Sequence, residues 1–487
     1  MPILQERGRF WWNDQTIPNG RFAPDASVPG LLTIENDGEI TLETDGMMNF
    51  AGQAICGIMQ EGDRVQNKCI QGILRATDQH VLLIGIVDAG ASTSTHGFSA
   101  EKYRTTDCLV HRDTFPSTMT LPTSARLSIC LDGFEAWLQL RSITSSRSPE
   151  SGRVTVEYVR PAPAEYPTDD GTLEFNFRLS GTGFAGVRSE EVSMKESVEL
   201  TVSLKEPLAL VDLRNRFRSV EDFLILLTGS HYRLAWPFIT VDGIEWIQWY
   251  FRRMSGDDVP AAPKWHECWT HFPELRESFG EIWSNWKTKR ELFGPGFYMY
   301  LGTLRGAELY TEHRFVNLIW GIESFDRTKY PRTPSASTPE MVKRVLRDVF
   351  EVRDQRWLRK TLQRALKYAH EPALQQRIFE VFEILPIDID RERLRAFAIT
   401  AANARNDISH FGAQREGSYN AFVERLHNLT EALSILYRCL LFAEIGIDSK
   451  IVKRQLEGFG GFESTRIRWY LAQVRLIDEA PPSRRGS

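Results

Sequence analysis

Apolar residues recur along this chain with two different periods, and the change of period divides it. Up to about residue 205 the period is two. Leu31-Leu32-Thr33-Ile34 and Ile40-Thr41-Leu42-Glu43 flank Asn36-Asp37-Gly38. Asp-Gly between two alternating runs predicts a β-hairpin. Val81 to Val87, Arg126 to Leu131, Val154 to Val159, Leu173 to Leu179 and Val198 to Leu204 continue the alternation. Strands at this spacing predict a β-sandwich or open barrel over residues 1–205.

Residues 206–302 are mixed, with a short helix expected from Leu213 to Leu227 and strand-like, tryptophan-rich sequence after it. Seven of the 13 tryptophans fall between Trp236 and Trp286. Such crowding predicts a buried junction between layers or domains, or a stacking surface for a ligand. From residue 303 the period becomes helical, with helices expected at about 303–329, 339–369, 372–384, 390–411, 419–445 and 448–458. Long helices with short connections predict an antiparallel bundle over residues 303–460. Residues 461–487 are expected as a partly disordered tail, ending in Pro481-Pro482-Ser483-Arg484-Arg485-Gly486-Ser487. The expected fold class is α+β.

The helix expected at 390–411 carries the candidate chemistry. Leu394, Phe397, Ala398, Ala401 and Ala402 mark a packed face, and the next positions on it are Arg405 and Ile408. Arginine is almost never buried without a partner, so its place on an apolar face calls for a reason. Asn403, Asn406, Asp407 and His410 form a polar stripe beside it. Cleavage of RNA needs a base for the 2′-hydroxyl proton, an acid for the leaving 5′-oxygen and a cation beside the phosphate. His410 suits the base or acid, and its charged form is favoured at a helix C-terminus. Arg405 suits the phosphate oxygens, and Asn406 or Asp407 can orient the imidazole. Positions five apart differ by roughly 140° on a helix, with about 7.5 Å of rise. The pair serves one phosphate most simply where two copies meet about a two-fold axis. The plainer alternative is that Arg405 makes a structural ion pair.

In Arg405-Asn406-x₃-His410 and its helical setting the chain resembles the HEPN domain, a helical fold whose RNase members carry Arg-polar-x₃-His. Phe10-Trp11-Trp12, Val28 to Ile34, Gly38 to Leu42 and Ile55-Cys56-Gly57-Ile58 resemble the N-terminal domain of ApeA-type proteins. These are bacterial anti-phage proteins that pair a β-rich domain with a C-terminal HEPN RNase. The resemblance spans essentially the whole chain. It implies metal-independent cleavage of RNA, with tRNA as the expected substrate, and growth arrest of the infected cell. The two-copy cleft leads to an expected homodimer or higher homo-oligomer, and because an always-active RNase would kill its host, a phage-derived protein or ligand is the expected activating partner. By the same resemblance Glu323, in Ile322-Glu323-Ser324-Phe325, is the acidic residue that assists; a solvated or helix-pairing glutamate is the alternative.

Composition narrows the reading. The chain has 487 residues, a net charge of −5, 25% charged and 42% hydrophobic residues. Two or three domains are expected at this length. The whole molecule is no generic polyanion binder, so any RNA surface must be local. Lys343 to Lys367 supplies one candidate, with a local charge of +6; Arg353, Arg356, Arg359, Lys360 and Arg364 are its candidate RNA contacts. The solvated face of an amphipathic helix would have the same composition. The six cysteines include no C-x-x-C pair, so no zinc site or disulfide framework is expected. No cofactor is expected. Met1 to Arg7 lacks a secretion-signal core, and no apolar run approaches the ~20 residues of a membrane span. The expected location is the bacterial cytoplasm, without a membrane partner.

Gly181-Thr182-Gly183-Phe184-Ala185-Gly186 matches G-x-G-x-x-G, but strand-like sequence follows where a dinucleotide site needs a helix, so a turn is expected. His266-Glu267-Cys268 and His271 are spaced irregularly for a metal, so packed side chains are expected. Two rival functions remain open. One is a catalytically inactive HEPN module for dimerisation or RNA binding. The other is a ligand-binding β-domain receptor with a helical relay.

Overall fold

The computed structural model describes residues 2–48, 68–93, 99–117, 119, 121–182, 193–253, 261–305, 309–332, 344, 371–411, 418–457 and 462–478, the side chains of Asp88, Ala89, Ala91 to Thr93, His410 and Phe411 excepted. The chain forms two compact units, one of residues 1–135, 140–221 and 233–259, the other of residues 136–139, 222–232 and 260–487. The divisions fall at helix α1 (Glu135–Leu138), within α2 (Leu210–Thr228), between residues 232 and 233, and between 259 and 260.

The first unit is β-rich. Strands β1 (Leu4–Trp12), β2 (Val28–Ile34), β3 (Ile40–Thr44), β4 (Ile70–Leu74), β5 (His80–Thr93) and β6 (Ser99–His111) pair antiparallel in a ring, β1-β2-β3-β6-β5-β4 and back to β1. The alternation left a sandwich or an open barrel; hydrogen bonding selects a closed six-stranded barrel. Closure covers the strand edges around the ring, leaving, among the described residues, only the end of β6 beyond β3 to pair with a strand outside it. Phe10, Trp12, Leu32, Ile34, Ile40, Leu42, Ile70, Val81 and Leu83 fill a single core. Gly72 leaves room for the Phe10 ring, since a Cβ there would stand 2.6 Å from its Cε1. The expected hairpin at Asn36-Asp37-Gly38 joins β2 to β3, with Gly38 at φ +80°.

The remaining strands are β7 (Thr123–Cys130), β8 (Ile143–Arg147), β9 (Val154–Tyr158), β10 (Ala164–Thr168), β11 (Gly171–Thr182), β12 (Ser193–Ala209), β13 (Phe238–Val241) and β14 (Ile244–Phe251). Strands β8 and β9 form a separate, mostly exposed hairpin. The others extend the sheet from β6 in the order β14-β13-β7-β12-β11-β10. Strand β14 takes over the edge of β6 where β3 stops, Phe251 pairing with Asp107 two residues beyond the Ile40–Thr105 pair. Buried Asp107 secures the junction by accepting from Trp249 Nε1 at 2.9 Å and Arg214 Nη2 at 2.6 Å. Gly181 and Thr182 end β11; Gly183 to Gly186 lie outside the described residues.

The second unit is helical, with α3 (Phe272–Leu275), α4 (Phe279–Phe293), α5 (Pro295–Leu304), α6 (Thr311–Lys329), α7 (Leu374–Glu383), α8 (Arg391–Phe411), α9 (Tyr419–Ile445), α10 (Ser449–Glu457) and α11 (Phe462–Gln473). Helix α9 is its axis. Ser418 Oγ caps its start by accepting from the Ala421 N–H, and Gly446, at φ +86°, ends it. Leu433, Leu436, Tyr437, Cys439, Leu440, Leu441 and Phe442 are fully buried, covering more than one face, so neighbours surround this half of the helix. Arg438 is buried among them and donates to the carbonyls of Leu226 and Leu227.

Two expectations need correction. The helix expected at 303–329 is two helices. Helix α5 starts at Pro295 behind Gly294 and ends at Arg305, and α6 begins only after Tyr310, whose ψ of 148° is not helical. Residues 462–473, expected in the tail, form α11, with Ile467 and Leu471 buried. Two polar residues, Glu463 and Ser464, share its buried face with Ile467 and Leu471, which hid its period. The helix expected at 339–369 lies outside the described residues, except that residue 344 is helical. Of the seven crowded tryptophans, Trp249 is buried in the first unit and Trp269, Trp283 and Trp286 in the second, while Trp246 and Trp265 are exposed.

Candidate active site

The site is built where α8 meets α6. The α8 face read from its period is the packed one: Leu394, Phe397, Ala398, Ala401 and Ala402 are all buried. Alanines at the contact let two helix backbones approach closely. Arg405 follows on the same face. Too long for an alanine's space, it reaches along the helix surface and keeps its side chain 25% exposed.

Its surroundings are sparse for a guanidinium. Arg405 Nη2 stands 3.9 Å from Glu323 Oε2 on α6, a long ion pair. Nη1 lies 3.4 Å from the Oδ1 of its neighbour Asn406, a weak hydrogen bond. Nε is buried with no hydrogen-bond partner among the described residues. An unsatisfied buried donor costs about 1–3 kcal/mol. Arg405 is therefore held near Glu323 and Asn406 by one weak hydrogen bond and one long ion pair, with most of its hydrogen-bonding capacity unused. Chemically it is a cation with free donors for an anion that presents several oxygens.

Arg405, Asn406 and Glu323 are thus brought together. Asn403 and Ser409 are exposed, and Asp407 and Ile408 half-buried. His410 stands in the last turn of α8, five residues after Arg405; its side chain lies outside the described residues. The five basic candidates, Arg353, Arg356, Arg359, Lys360 and Arg364, lie outside them too.

One neighbouring group escaped sequence reasoning. Asp326, three residues after Glu323, is fully buried and accepts from both Nη1 and Nη2 of Arg332, at 2.5 and 3.1 Å. Those hydrogen bonds hold the Arg332 guanidinium above its ordinary pKa. Arg377 of α7 is also buried, with Nη1 3.7 Å from Asp326 Oδ2 and Nη2 paired to Glu371. Glu323 and Asp326 therefore each face an arginine from another helix, α8 and α7 respectively. The signal was an acidic pair at i, i+3 inside an apolar helix.

The histidine- and cysteine-bearing segment is packed as expected. His271 Nε2 lies 3.0 Å from the Trp265 carbonyl, and burial pushes the Cys268 thiol up to about 11. His266 sets its ring edge-on to Phe462.

Comparison with known families finds two matches. The model described as ApeA N-terminal domain 1 matches residues 6–286, and that described as Apea-like HEPN matches residues 316–451. The second includes Glu323, Arg405, Asn406 and His410. No curated protein and no solved structure matches the chain.

Proposed function

This chain belongs to the ApeA family, as a defence protein of the HEPN nuclease type, and from that premise we propose that it is a metal-independent endoribonuclease acting at Arg405 and His410. The observation that carries the reading is the Arg405 guanidinium. It is anchored beside Glu323 at 3.9 Å yet has a buried Nε without a partner among the described residues. Arg214, Arg253 and Arg377 also each leave one buried nitrogen without a partner among the described residues, so it is the open donor together with the Arg405-Asn406-x₃-His410 motif inside the HEPN match that supports the reading.

The reaction is in-line transesterification. The 2′-oxygen attacks the adjacent phosphorus while its proton passes to a base. The bond from phosphorus to the 5′-oxygen breaks, and that oxygen takes a proton from an acid. The products are a 2′,3′-cyclic phosphate and a 5′-hydroxyl. His410 handles protons, Asn406 orients, and Arg405 places its donors where charge builds on the phosphorane oxygens. Glu323 holds the guanidinium in place from α6. With a single histidine in the motif, base and acid come from two copies in a homodimer. A cellular RNA, with tRNA first, is the substrate, and its loss arrests growth of the infected cell. The β-rich unit is the sensor for a phage-derived protein or ligand.

Sequencing of 5′-hydroxyl RNA ends in cells, before and after phage challenge, tests this. New ends should appear with the wild-type protein and be absent with Arg405→Ala or His410→Ala. Cleavage by the purified protein should survive chelation of divalent ions. Folded variants that still cleave or still protect cells would overturn the assignment. A challenge response without RNA breakage, but with a ligand held by the β-rich unit, would favour the receptor reading.

A further inference from the structure

Helix α6 does more than present Glu323. Its outward face carries His313, Trp320 and Arg327 at intervals of seven, so the three share one stripe. All are exposed, and Trp320 has 47% of its surface open. An indole is highly buried on average, and among the other described tryptophans of the helical unit Trp137, Trp269, Trp283 and Trp286 are buried, while Trp265 and Trp469 are exposed. Trp320 has no hydrogen bond or ring partner among the described residues. It stands one helical turn before Glu323, with Cβ atoms at i, i+3 about 5–6 Å apart. Glu323 in turn lies 3.9 Å from the Arg405 guanidinium. Tyr310, 78% exposed, extends the stripe by meeting His313 edge-on at 6.0 Å.

We propose that Trp320 is a stacking platform for a base of single-stranded RNA next to the scissile linkage, and so sets position and base preference for cleavage. The inference rests on the nuclease reading given above. An open π-face beside a cation with unused donors matches the two halves of a nucleotide, base and phosphate. Stacking on an aromatic side chain is available to any base and holds a flexible strand without ordering a duplex. Arg327, further along the stripe, adds positive charge, shared at 3.3 Å with Glu371. Trp320 touches no reacting atom in this arrangement; it is a positioning residue.

The test uses full-length protein and 12-nucleotide RNAs differing in single bases around one cut. For Trp320→Ala, KM should rise about 5- to 100-fold while kcat stays within about threefold, the range that loss of one stacked base allows. Preference for the base beside the cut should flatten, and Trp320→Phe should restore most of both. Unchanged KM and base preference would overturn the inference. So would a change in sedimentation with base preference intact, which would make Trp320 a contact between copies. If the wild-type protein cuts no RNA, the nuclease reading fails first. Fluorescence anisotropy with a labelled 12-mer then decides the stacking role alone, by a weakened or an unchanged Kd for Trp320→Ala.

Discussion

Replacing Arg405 by methionine should separate activity from stability. The structure sets both magnitudes. Its ion pair to Glu323 is 3.9 Å long, with the two side chains 25% and 19% exposed. A pair so long and partly wet contributes at most about 1 kcal/mol. Against that stands a buried Nε with no partner among the described residues, a cost of about 1–3 kcal/mol that methionine removes. The net change in stability should lie near zero or favour the variant. At about 2–4 °C per kcal/mol for a unit of this size, the melting temperature should move by no more than a few degrees. The rate should fall about 10²- to 10³-fold, the usual cost of losing one donor to developing negative charge. Arg405→Lys keeps the charge but not the planar fork and should fall between. Calorimetry of the purified variants, paired with the initial rate of 5′-hydroxyl end formation, reads both quantities. A methionine variant that melts more than about 5 °C lower and keeps a tenth or more of the rate would refute the reasoning. Arg405 would then be a structural ion pair.

Three further outcomes follow from the packing. Arg438→Met should cost about 3–5 kcal/mol by chemical denaturation, because it strands the carbonyls of Leu226 and Leu227, which the guanidinium reaches at 2.8 and 3.1 Å. Burial would raise the Glu274 carboxyl, but hydrogen bonds from His271 and Arg454 and the Arg454 charge hold it at about 2. An acid depressed in this way stabilises the fold fully above its unfolded pKa of about 4.3 and loses that contribution as pH falls toward 2. Arg454→Gln should therefore be less stable than wild type at pH 7, and the gap should close between those two values in urea titrations. Gly38→Ala should cost at least about 2 kcal/mol, since Gly38 sits at φ +80° and a Cβ would stand 2.6 Å from the Trp236 ring and closer to the Phe251 carbonyl. A thermal melt unchanged by that substitution would contradict the close approach.

The sequence carried much of the site and less of the architecture around it. Arg405 stood out because α8 has a clean period from Leu394 to Ala402, and a charge at the next position breaks it. Asp326 did not stand out, because a buried acid looks like a surface one until its arginines are known. Arg332 lies six residues on, past the end of α6, and Arg377 comes from α7, so no helical spacing linked them to it. Helix α11 was missed because only Ile467 and Leu471 are buried apolar residues on it, and the polar Glu463 and Ser464 complete its buried face. Trp320 was invisible as a special residue, since a lone tryptophan in an apolar helix is normally core.

Local chemistry settled what local chemistry can. Period two against period 3.6 separated strands from helices, Asp-Gly placed the β2–β3 turn at Gly38, and the apolar period from Leu394 to Ala402 predicted α8. These depend on backbone geometry and near neighbours, which the order of residues contains. Closure of the barrel, the meeting of Arg405 with Glu323 across 82 residues, and the exposure of Trp320 depend on which distant segments pack together. Such choices are made by the sum of many small burial and hydrogen-bond terms over the whole chain, so only the assembled fold could decide them.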